Sequence, residues 1–132
     1  MTAGTPTAVV NYAFSGVTSG SWTWDASRVV FLRSQGAGPD LDSAGAQLTA
    51  TNVVVIRVAV TTDLGVPKTN LIGSGEASIS SGGRTVQATW SKASATDPIH
   101  LVDGAGAAVR LAVGNTWIEL VPVDRGSVTL VP

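Results

Sequence analysis

Three charged side chains stand where an apolar strand should carry none. Arg57 interrupts the run "VVVIRVAV", Glu119 sits inside "TWIELVP", and Arg33 alternates onto the face of Val29 and Phe31. A charge taken out of water is tolerated only when paired, and a carboxylate is the best partner a guanidinium can find. These residues are therefore expected to form a structural ion pair, Glu119 with either Arg57 or Arg33. Trp117 shares the face of Glu119, where its indole would pack over the guanidinium stem. Trp117 and Glu119 also suit another use, because an exposed aromatic beside an acid makes a sugar-binding platform. Both readings stand at this point.

The other candidates for chemistry are incomplete. His100, the only histidine, lies in "PIHLVD" with Asp97 and Asp103 three residues away on either side, but no G-x-S-x-G elbow supplies a nucleophile. It reads as an ordinary strand histidine. One His and no Cys leave zinc without ligands. "PDLDSAG" spaces Asp40 and Asp42 like a calcium loop with Gly45 behind. Yet Ala44 replaces a third oxygen ligand and Thr51 the closing Glu, so a plain Asx-turn loop is the simpler reading. "GAGPDL" and "GAGAAV" lack the third glycine and the following helix of a dinucleotide loop. Asp25, Asp63, Glu76, Asp97, Asp103 and Asp124 fall at turns or strand ends, where acids are ordinarily solvated, so no pair is set for glycoside hydrolysis. No catalytic residue, cofactor or metal is expected, and the chain is not read as an enzyme.

Strands must position these side chains. No stretch of ten residues has helical periodicity, and apolar alternation is broken by Gly, Asp, Asn or Pro every 8–12 residues. "TAVVNYAF", "GSWTWD" and "SRVVFLRS" read as strands, followed by the loop "QGAGPDLDSAGAQ". "LTATNVVVIRVAVTTD" is apolar on both faces apart from Arg57, as a central strand covered on both sides would be. "LGVPKTNL" reads as a loop because Pro67 cannot donate to a ladder. The rest reads as a meander: "LIGSGEASIS" with a bulge at Gly73 or Gly75, "RTVQATWSKA", "IHLVD", "AAVRLAV", "TWIELVP" and "SVTLV". Short turns join antiparallel strands and long crossovers are missing. The expected fold is all-β, an antiparallel sandwich or partly closed barrel of about ten strands, in one domain over residues 1–132.

Composition narrows the partners. Eight basic and nine acidic residues are dispersed, with no cluster to collect phosphates, so nucleic acid is not expected. No apolar run reaches the roughly 20 residues of a membrane span. Only 13% of residues are charged while 44% are hydrophobic, a bland surface that suggests a covered face.

The second half carries landmarks of a family. "GSGEASIS", a strand ending "TWSK", then "DP", a D-x-x-G turn and "LAVGNTWIELVP" occur in the order seen in the C-terminal domain of YerB-like bacterial lipoproteins. "FLRSQGAGPDLDSAGAQLTATNVVVIRV" fits upstream, so the resemblance spans about residues 10–122. It implies an extracytoplasmic protein, lipid-anchored at an N-terminal cysteine, with a separate N-terminal domain as partner. This chain has no lipobox cysteine and is read as the excised C-terminal domain. The family has no assigned activity, so the resemblance transfers no catalytic residue. The expectation is a non-catalytic accessory or interaction domain of an envelope lipoprotein. The alternative is a glycan- or peptidoglycan-binding module with cell-wall glycan as ligand, and a hydrolase ranks third.

Overall fold

A computed structural model describes residues 4–15, 19–36, 38–63, 66–70, 72–94, 96–124 and 126–132, with backbone alone for 60–63 and 66–70. All its regular elements are strands. The first six are β1 (Thr5–Pro6), β2 (Val9–Ala13), β3 (Ser19–Asp25), β4 (Val30–Gln35), β5 (Gly38–Pro39) and β6 (Thr49–Ala50). β7 (Asn52–Asp63), β8 (Val66–Asn70), β9 (Gly73–Ser81), β10 (Arg84–Lys92), β11 (His100–Asp103), β12 (Thr116–Pro122) and β13 (Ser127–Val131) follow. The smaller sheet has the order β13-β2-β3-β4-β5, with β6 also on β4. The larger has the order β1-β10-β9-β7-β12, with β11 also on β10 and β8 on β7. The sheets face each other as an open sandwich and do not close into a barrel.

Alternation along the strands builds the first core. Val10, Tyr12, Trp22 and Phe31 of the smaller sheet meet Val53, Val55 and Val121 of the larger. The intervening residues of β7 point the other way. Val54, Ile56 and Val58 join Ala77, Ile79 and Trp90 in a second core, over which Ile99, Leu101 and Val109 are laid. β7 is thus apolar on both faces because both are covered. Each such aliphatic side chain contributes on the order of 1.5–3 kcal/mol by leaving water. The covering segment is tied down by buried Asn52. Its Nδ2 donates to the Ala112 carbonyl (2.9 Å) and to Thr116 Oγ1 (3.2 Å), and its Oδ1 accepts from the Ala112 amide (3.0 Å).

Four local expectations change. β12 pairs with β7 in parallel, Thr116 opposite Asn52 through Pro122 opposite Val58. The crossover that parallel strands require is supplied by β8 to β11 rather than by one long connection. Pro67 lies within a strand, β8, opposite Thr62. Among the described residues β8 pairs only with β7, so the missing N–H is tolerated at an edge. "AAVRLAV" is not a strand. It makes one bridge, Val102 to Ala108, because it must cross from the second core to the start of β12. The β9–β10 register is continuous from Gly73 to Ser81, so neither Gly73 nor Gly75 is bulged. Gly75 is small for another reason. The Trp90 indole crosses it to donate Nε1–H to the Arg57 carbonyl at 2.8 Å, and a Cβ there would fall 2.7 Å from that nitrogen.

Candidate functional site

The structure separates the three charged residues. Glu119 and Arg33 meet between the sheets, both buried, with Nε 3.1 Å from Oε1. Trp22, cross-strand neighbour of Arg33, donates its indole N–H to the same Oε1 at 3.3 Å. Arg33 also pairs through Nη1 with Asp40. The guanidinium carbon lies 4.9 Å from the Trp117 ring centre and 5.9 Å from that of Trp22. Trp117 therefore packs over an arginine on the Glu119 face and leans on Trp22 at 5.5 Å. Burial opposes the charge on Arg33, but the hydrogen bonds to Asp40 and Glu119, with the Glu119 charge, outweigh it and raise its pKa.

Asp40 is the member that sequence reading overlooked. β5 pairs with β4 so that Ser34 lies opposite Pro39 and Gln35 opposite Gly38, and the next pair along is Arg33 with Asp40. The Asp40 amide donates to the Arg33 carbonyl at 3.0 Å. Counting outward from "QGAG" was the available signal. Asp42 goes elsewhere, its Oδ1 accepting the amides of Ala44 (2.8 Å) and Ala46 (3.0 Å). The two acids with calcium-loop spacing thus serve an ion pair and a turn. A twin of that turn caps β11, where Asp103 Oδ1 accepts the amides of Ala105 and Ala107 at 2.9 and 3.0 Å. The matching strings "DSAGA" and "DGAGA" are a repeat that the sequence reading passed over. His100 is exposed on β11.

Tyr12 completes the closed cluster. Its hydroxyl passes over Gly20, where a Cβ would fall 2.2 Å away, and it closes no hydrogen bond of ordinary geometry. Burial, then the nearby Glu119 charge, push its pKa up to about 12. The group has two acids, a base and a phenol, and with Arg33, Glu119, Trp22 and Tyr12 buried it ties the two sheets together.

Arg57 is placed differently. Its Nη2 donates to the carbonyls of Pro122 (3.0 Å), Gly126 (2.9 Å) and Val123 (3.4 Å), clamping the turn between β12 and β13. Its Nε is buried without a partner. Half-buried, it lines a cleft with Val55, Glu76, Ser78, Gln87, Val128 and Leu130. Glu119 is not its partner.

An open two-sheet β-domain with this internal ion cluster falls within a recognised family. The model for the C-terminal domain of a protein of unknown function (DUF3048) matches residues 9–118, and the chain belongs to that family. The crystal structure of YerB from Bacillus subtilis is similar in fold, with a TM-score of 0.78 at 18% identity. The match covers 98% of this chain and 45% of YerB, so the chain spans less than half the length of that protein. No curated protein matches the sequence.

Proposed function

We propose that the chain is a non-catalytic interaction domain of a larger extracytoplasmic, lipid-anchored envelope protein, and that it docks the rest of its parent polypeptide along β12. The apolar side chains left in water around that strand carry the reading. β12 ends the larger sheet with no hydrogen-bonded strand on its far side among the described residues. Val113 is fully exposed before it, Ile118 is 47% exposed within it, and Val123 is 56% exposed just after it. Apolar side chains gathered along an unpaired edge favour a covering partner.

The envelope setting rests on the family resemblance, and a non-catalytic role on the chemistry. Arg33, Asp40 and Glu119 satisfy one another, and His100 lies on an outer strand. A glycan module that works by stacking needs an exposed aromatic strip, yet none of the four tryptophans, one tyrosine and two phenylalanines is exposed. The test is titration of this chain with the separately produced remainder of the parent protein. Binding by the native chain, lost in Val113→Lys/Ile118→Lys with an unchanged melting temperature, supports the reading. Equal binding by both chains, or none by either, sinks it.

A further inference from the structure

Facing sheets of a sandwich ordinarily present apolar side chains to each other. Over β9 and β10 the inner face of the larger sheet is instead polar, with Ser78 opposite Gln87, Glu76 opposite Thr89 and Ser80 opposite Thr85. Ser80 and Thr85 satisfy each other at 2.7 Å, and Thr85 also meets Thr7 at 2.7 Å. Glu76, Ser78 and Gln87 open into a cleft of about 170 Å³, because the smaller sheet ends at β13 and does not cover them. The floor is Arg57, Glu76, Ser78 and Gln87, while Val55, Val128 and Leu130 supply aliphatic surface.

The charges in this cleft are unspent. Among the described residues the Arg57 guanidinium forms no ion pair, and the hydrogen bonds it donates, through Nη2, go to carbonyls. Glu76 is exposed and forms none either. A cation and an anion that share a small cleft without meeting suit a ligand that carries both charges. We propose that the cleft binds a free α-amino acid with a small aliphatic side chain. Its carboxylate lies against Arg57, its ammonium group against Glu76, and its side chain against Val128 and Leu130. Gln87, with a donor and an acceptor, serves either end. Size sets the class, since pockets for drug-sized ligands run to roughly 300–1,000 Å³. A guanidinium also binds a carboxylate through charge-assisted hydrogen bonds, which are stronger than neutral ones.

The experiment is a titration of the ¹⁵N-labelled chain with L-alanine, following the Arg57 Nε–H signal and the amides of Ser78, Gln87 and Leu130. The expected result is a saturable shift at these positions with a millimolar midpoint. Acetate and methylammonium, each with one of the two charges, should bind about tenfold more weakly or less. Glu76→Gln, an exposed change that leaves the fold intact, should lower alanine binding to the level of acetate. Shifts that never saturate and that sodium chloride reproduces would show a cleft holding only water and ions. An equal response to all three probes, or alanine binding unchanged in Glu76→Gln, would overturn the zwitterion site.

Discussion

Arg33 and Arg57 face the same interior from opposite sheets and are neutralised in opposite ways. Arg33 sits between two carboxylates under aromatic rings, and nothing is left for a ligand to add. Arg57 is held by carbonyls alone, with its charge uncompensated beside a cleft. The same side chain is therefore a closed fastening at one end of the sandwich and an unfinished contact at the other. What separates them is the counter-charge, since burial without one leaves a standing cost that a bound anion relieves.

Removing the counter-charge at the closed end should produce the largest effect. Glu119→Ala should destabilise by about 3 kcal/mol in urea melts, the low end for a broken buried pair because Asp40 still holds the guanidinium. Glu119→Gln should cost less, as its amide oxygen still accepts one hydrogen bond. Shifts below about 0.5 kcal/mol, usual for plain surface changes, would erase the contrast between the two arginines. Trp117→Ala should cost about 2–3 kcal/mol, less than a fully buried tryptophan.

Alkali probes the same cluster through Tyr12. Its folded pKa, about 12, lies above its ordinary 10.0. The unfolded chain therefore loses this proton first, and the folded state's advantage is complete below pH 10 and lost as pH rises toward 12. The loss should approach ~2 kcal/mol across that window. Tyr12→Phe should flatten it.

Arg57→Met, at the open end, should cost only about 1–2 kcal/mol, since it frees carbonyls near solvent and orphans no carboxylate. The smallest change should be a gain. Val29 holds φ 58° while 59% exposed, a conformation that β-branched residues resist, so Val29→Gly should stabilise by about 1 kcal/mol.

The cores were legible because alternation is local. "VVVIRVAV" announces a strand covered twice, and "TWIELVP" shows a carboxylate that must find a cation. Which arginine it finds was not legible. That depends on which strands of the smaller sheet lie across from β12, and no neighbouring residue encodes this. The parallel register was hidden for a similar reason, since the turns speak only for strands that follow one another. Gly75 misled because its smallness serves Trp90, fifteen residues away in sequence and opposite in register.

The parallel pairing of β7 with β12 also bears on how the chain is made. Every other strand of the larger sheet emerges from the ribosome before the one that completes the inner wall. At roughly 5–20 residues per second, the Val53–Val55 strip waits several seconds for Trp117, Glu119 and Val121 to arrive. Arg33 meanwhile has Asp40 but not Glu119. The domain cannot complete its fold during synthesis until its last quarter is free, which makes that interval the point at which a chaperone, or a misplaced strand from another nascent chain, would act.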